Sequence, residues 1–176
     1  MRKVEVILYN ELWQTMFEEE ANNLFEIFGS EIIEIHHIGS TSVNGLKAKP
    51  TIDIMPVVLK INQIDEYNAA MVLIGYESKG ENGIKGRRYY KKGGDIRTHH
   101  VHIYEVGNSE IERHLAFRDY LRANPVVAKK YGDLKEKLSR CFPYDIASYI
   151  NGKDQLALEI QQKAIDWYRL KGGHYA

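Results

Sequence analysis

The chain has 176 residues, enough for one compact domain, and 24 Lys and Arg balance 24 Asp and Glu to a formal net charge of zero. That balance argues against a protein whose main work is to grip long nucleic acid or an anionic membrane by long-range attraction. A hydrophobic fraction of 44% supports a real core and excludes disorder.

In chain order, Val4–Leu8 is a short apolar run that reads as a lead-in strand. Asn10 is an N-cap candidate. After it, Trp13, Met16, Phe17, Leu24, Phe25 and Phe28 share one helical face, so a helix is predicted over Glu11–Phe28, stopped by Gly29. Glu31–Ile38 is rich in isoleucine and reads as a strand. Gly39–Gly45 is small and polar, a loop. Thr51–Leu59 is an apolar run interrupted by Asp53 and too short for a helix, and Asn62–Leu73 suits a helix.

Gly75–Gly94 is rich in Gly, Lys and Arg, with a strand over Arg87–Lys91. Thr98–Val106 alternates and reads as a further strand. Ser109 with Glu112 has capping-box spacing and opens a helix to Ala123. Pro125 stops it and starts the next, to Arg140. A last helix is expected over Lys153–Leu170, with Leu156, Ile160, Ala164 and Trp167 on one face. The order gives an α+β class: a mixed sheet flanked by helices, with a helical C-terminal part, in a single domain over residues 1–176. Cys141 is the only cysteine, which excludes an internal disulfide. It is expected to serve in packing. With no signal sequence and no long apolar run, a cytoplasmic protein with no membrane partner is expected.

Four features carry potential chemistry. First, Gly39 brings backbone without bulk to a turn with three hydroxyls, Ser40, Thr41 and Ser42, and Asp53 follows in the next strand. Anion donors beside a metal-holding carboxylate are the logic of a nucleotide site. Equally, the hydroxyls could cap local backbone, with Asp53 in an internal salt bridge. Second, in Thr98–Tyr104, His100 and His102 share one strand face, about 7 Å apart, and His99 takes the other. They could meet Asp53 on a metal or phosphate if the strands are neighbours, or be ordinary hydrogen-bonded strand residues. His37 is a weaker candidate.

Third, Lys79–Arg97 holds seven positive charges against Glu81 and Asp95. It reads either as a phosphate clamp, with Arg88 as its best residue, or as a solvated loop. Fourth, Arg118 and Arg122 share a helix face. They could reach an anion, but tying the helix to the rest of the fold is the better reading.

His37–Val43, Gly45–Pro50, Ile52–Ile54, His100–His102 and Phe117–Pro125 resemble the GrpB family of small bacterial proteins, and the resemblance runs over nearly the whole chain. Asn44 stands where that family commonly has proline. The resemblance implies a nucleotidyltransferase-like fold, in which a Gly-Ser turn and an acidic strand surround a metal-bound triphosphate. Gly39, Ser40, Thr41, Ser42, Lys49 and Arg88 would then bind phosphate. Asp53, His100 and His102 would be catalytic, with Asp53 and His102 holding a divalent metal. Met55 occupies the position of the usual second acid and cannot bind Mg²⁺ usefully. That puts two-metal transfer in doubt; with His100 and His102 in place of the missing acids, the site would take Mg²⁺ or a softer ion such as Mn²⁺ or Zn²⁺, or the histidines would contact phosphate directly. Some relatives are fused to dephospho-CoA kinase, which hints at a nucleotide or coenzyme A-related ligand. Three functions follow as expectations: nucleotidyl or phosphoryl transfer, a binding module without turnover, or protein interaction through the C-terminal helices.

Overall fold

The computed structural model describes residues 1–172. Helix α1 covers Leu12–Phe28; its cap position falls on Glu11 rather than Asn10, though the Asn10 side chain accepts from the Leu12 amide at 2.9 Å. Five strands follow: β1 (Ile32–Ile38), β2 (Ile52–Val58), β3 (Tyr76–Ser78), β4 (Arg87–Lys92) and β5 (His99–Glu105). They form one sheet in the order β1-β2-β5-β4-β3. The central pair, β2 and β5, is parallel, and the other neighbours are antiparallel. A short helix α2 (Asn68–Leu73) lies between β2 and β3. Three helices close the chain: α3 (Ser109–Ala123), α4 (Pro125–Cys141) and α5 (Ile146–Leu170). The class is α+β, with a mixed sheet between helices.

The two faces of the sheet have separate cores. On one, Ile52, Ile54, Val101 and Ile103 pack against Trp13, Leu24 and Phe28 of α1. On the other, Met55, Val57 and Tyr104 pack under Ile111 and Leu115 of α3. A third cluster joins Val43 and Leu46 of the loop after β1 to Leu121, Ala128, Tyr131 and Ile160 of the last three helices. That cluster holds α3–α5 over one end of the sheet, where they leave a cleft.

Several local expectations change. Val4–Leu8 forms no strand, only a single bridge between Ile7 and Ala48. Residues 61–67 form 3₁₀ turns, so α2 is a short remnant of the helix expected over Asn62–Leu73. Strand β3 has only three residues and too little pattern to read. The cap of α3 is Asn108, whose side chain accepts from the Glu110 amide at 2.9 Å, so Ser109 is its first helical residue. Helix α5 begins seven residues before Lys153, because Asp145 caps it through the Ser148 amide. Phe25 is 44% exposed, while Glu20 is buried beside Lys92 and His99. Cys141 is exposed and does not pack. No helix among the described residues is long and apolar enough to cross a membrane.

Candidate functional site

The parallel pairing of β2 and β5 puts Asp53 directly opposite His100. His102 is two residues on and therefore faces the same way. Both imidazoles reach one carboxylate oxygen, Asp53 Oδ1: His100 through Nδ1 at 3.2 Å and His102 through Nε2 at 3.1 Å. Burial alone would raise the Asp53 pKa, but hydrogen bonds from the two histidines, and their attraction, outweigh it and hold the carboxyl well below its usual range. Burial pushes the His102 pKa down, against the pull of Asp53. The three donor atoms lie within 4.8 Å of one another, close enough to share an ion.

The Gly-Ser turn closes one side. Gly39 has φ +71°, a conformation glycine adopts freely. A Cβ there would meet Asp53 Oδ2 at 2.6 Å, so the close approach of turn and carboxylate requires glycine. The three hydroxyls after it have different fates. Ser42 Oγ donates to the Gly39 carbonyl and so caps the turn. Thr41 Oγ1 meets His37 Nε2 at 2.9 Å. Ser40 Oγ alone among them accepts from a distant cation, Lys135 Nζ, at 2.7 Å. The expected hydroxyl trio is therefore divided between turn structure and cleft.

Facing this turn across the cleft are residues of the last three helices. The cavity holds about 380 Å³, within the range of small-molecule sites. Ser40, Lys49, Asp53 and His100 line one side, and Phe117, Tyr131, Lys135, Tyr149 and Lys153 the other. Lys135 is 3% exposed, with its ammonium 4.7 Å from the Tyr131 ring centre. Burial, with Lys153 and Lys49 adding repulsion, holds its pKa well below the ordinary lysine value. Burial lowers Lys49 to about 8, with Arg2 and Lys153 pushing the same way. Lys153 is lowered by burial too. Lys49 stands 5.2 Å over the Tyr149 ring, whose hydroxyl is buried without a hydrogen-bond partner among the described residues.

Of the sequence candidates, Gly39, Ser40, Thr41, Lys49, Asp53 and His100 line the cleft, and His102 joins through Asp53. Arg88 does not. Its neighbours in β4 alternate, so it projects from the opposite face, where Asp65 takes it at 2.7 Å and 3.2 Å. Arg87 turns toward His102 instead. His37 also lies on the opposite face, stacked on Phe17 at 4.8 Å, and burial lowers it to about 4. Arg118 and Arg122 donate to the His37 and Ser42 carbonyls at 3.2 Å and 2.9 Å, so they brace the turn from behind, and Asp119 is the carboxylate they meet. Sequence reasoning missed Lys135, Lys153, Tyr131 and Tyr149. Only the start of α5 offered a signal: a helix begun at Asp145 puts Tyr149 and Lys153 four apart on one face.

The chain matches the family described as GrpB protein over residues 3–163. It belongs to the GrpB family. The UPF0157 protein YqkA of Bacillus subtilis is 53% identical over 94% of this chain, and the chain spans about half of that protein, 48%. The glutamate-rich protein GrpB of Alkalihalophilus pseudofirmus is 35% identical over 91% of this chain and 96% of its own length. A crystal structure of GrpB from Enterococcus faecalis has a TM-score of 0.91 at 45% identity, covering 93% of this chain and 99% of that one. The similarity extends to a dephospho-CoA kinase of Mycobacterium leprae, at 24% identity over 89% of this chain and 45% of that protein. Structures of the Cid1 poly(U) polymerase reach a TM-score of only 0.47 at 12% identity, too slight a likeness to build on. Within the GrpB family frame, Met55 has a clear place: it is wholly buried in the core beneath α3.

Proposed function

We propose that the protein binds a small phosphate-containing molecule, a nucleotide or a coenzyme A relative, in the cleft between the sheet and α3–α5. One observation carries this reading. Three ammonium groups, those of Lys49, Lys135 and Lys153, line one cleft, and none makes an ion pair among the described residues. A cation removed from water without a counter-charge is costly. Phosphate oxygens would supply that charge and accept from the lysines. Phe117, Tyr131 and Tyr149 offer the apolar wall a heterocycle needs. The similarity to dephospho-CoA kinases supports the coenzyme A branch of the proposal. The same reading takes the protein to work in the cytoplasm, with no long nucleic acid as partner.

The burial of Met55 favours binding over two-metal transfer, because the second acid's position is sealed into the core. A second reading, nucleotidyl or phosphoryl transfer with one divalent ion, draws on the grouping of Asp53, His100 and His102. It needs both rings to turn lone pairs toward that ion.

The test is a thermal-shift panel of phosphate, pyrophosphate, nucleotides, coenzyme A and dephospho-CoA, with and without Mg²⁺, Mn²⁺ or Zn²⁺. A ligand at a hundred times its Kd stabilises by about 2.7 kcal/mol, a clear shift. At least one compound should give it, and Lys135→Met should cut it to about half or less. No shift with any compound sinks the proposal.

A further inference from the structure

The far side of each histidine decides what the cluster can hold. His100 turns Nδ1 to Asp53 and Nε2 to Arg97 Nη1 at 3.0 Å. His102 turns Nε2 to Asp53 and Nδ1 to Arg87 Nη1 at 3.4 Å. A guanidinium only donates. Each ring must therefore accept from its arginine, and its own proton lies on the nitrogen that faces Asp53. Two N–H groups then converge on one carboxylate oxygen.

A metal requires the reverse. A ligating histidine points a lone pair at the ion and gives its other N–H to a carboxylate, a carbonyl or water. Here that outer position is filled twice by a cation that cannot accept. Neither arginine is loosely placed. Arg97 Nε donates to the Gly94 carbonyl at 3.1 Å. Arg87 donates to the carbonyls of Glu81 and Asn82 at 3.1 Å and 2.9 Å, and its guanidinium stacks on Tyr89. A divalent ion at Asp53 would also add its charge to two arginines and three lysines. The donor atoms fit an ion by distance, and their protons do not.

We propose that Asp53, His100 and His102 are not a metal centre, and that the cleft takes its ligand's phosphate free of divalent metal, with Lys49, Lys135 and Lys153 supplying the neutralising charge. This rests on the phosphate reading above. Asp53 then acts as a fixed negative charge. Its two histidine donors hold it in place, and it repels the phosphate toward the lysines on the helical wall. In a two-metal or one-metal site, Asp53 would attract the ligand through the ion. The two roles predict opposite effects of removing its charge.

The experiment uses full-length protein without a histidine tag and inorganic pyrophosphate as the probe. Calorimetric titrations are made in EDTA and in Mg²⁺, Mn²⁺ or Zn²⁺, on the wild type and on Asp53→Asn. Pyrophosphate should bind in EDTA, with no gain from any metal beyond threefold. Asp53→Asn, which keeps an oxygen acceptor for both rings, should bind roughly tenfold tighter. Without pyrophosphate, Co²⁺ should give no visible ligand-field band, and dialysis should leave well under one equivalent of Zn²⁺ bound. A need for metal, loss of binding in Asp53→Asn, or one equivalent of Zn²⁺ lost in that variant overturns the proposal. If Asp53→Asn does not fold, the wild-type titrations and the Co²⁺ spectrum decide alone. Pyrophosphate binding under no condition overturns the phosphate reading and the lysine role together. The Co²⁺ spectrum still judges the histidine cluster.

Discussion

Lys135 should cost the free protein stability and be kept for its ligand. Its side chain is almost wholly buried on α4, with one hydrogen bond to Ser40 and one ring contact to Tyr131. Removing an ammonium from water costs several kcal/mol even after relaxation. A charged hydrogen bond returns about 1.5–3 kcal/mol, and the ring contact about 1–2 kcal/mol. The balance is a net penalty of about 1–2 kcal/mol in the free protein. Methionine keeps the length of the stem and sets a polarisable sulfur against the ring, so Lys135→Met opens little cavity. Ser40 is half-exposed and can bond to water instead. Urea titration should therefore find Lys135→Met more stable by about 1–2 kcal/mol, with Tm higher by about 2–4 °C for each kcal/mol. The same variant should bind pyrophosphate at least tenfold more weakly, about 1.4 kcal/mol. A destabilisation beyond about 1 kcal/mol with unchanged affinity would make Lys135 a structural residue and refute the reasoning.

Lys49 predicts a pH dependence. Its folded pKa of about 8 lies below the ordinary 10.5, so the unfolded chain holds the extra proton between those values, and stability rises with pH across that window. Lys49→Met should flatten the rise, by about 3 kcal/mol at most. Equal slopes in both proteins would show that Lys49 titrates as an exposed lysine. For the same reason, pyrophosphate affinity should fall above pH 8 in the wild type and fall less in the variant, by calorimetry. Gly39→Ala should lose about 2 kcal/mol or more, from its positive φ and the contact with Asp53; wild-type stability in urea would show that the turn can shift. Glu20→Gln should lose about 2–3 kcal/mol, because Lys92 loses its buried counter-charge. A loss below about 0.5 kcal/mol would mean that solvent screens the pair.

The sheet half of the site was legible because strand periodicity is local. His100 and His102 had to share a face, and an acid in an apolar strand had to find partners. The turn was partly legible. Three hydroxyls in sequence could not reveal that Ser42 and Thr41 serve the turn while Ser40 faces the cleft. That depends on how the chain folds back on Gly39 and on a histidine from the other face of the sheet. Arg88 illustrates the same limit by a single residue. It and Arg87 are equal as charges in a basic stretch. The register of β4 on β5 sends one toward His102 and the other to Asp65.

Charge along the chain is a different quantity from charge left unpaired in the fold. The basic stretch Lys79–Arg97 is open to reading, along the chain, as a phosphate clamp or as a solvated loop, and most of its charge is answered internally. Arg88 meets Asp65, Lys79 and Lys91 meet Glu77, and Lys92 meets Glu20. The lysines that line the cleft without an ion pair are Lys49, Lys135 and Lys153, drawn from a loop and two helices and spread over more than a hundred residues of sequence. No window along the chain could gather them. Arg113, also at the cleft, is paired with Glu110. The lysines face two carboxylates at the cleft, Asp53 and the more exposed Asp154, and three charges less two leave one. That small surplus suits a small phosphate anion better than a long polyanion, and it is present without any metal.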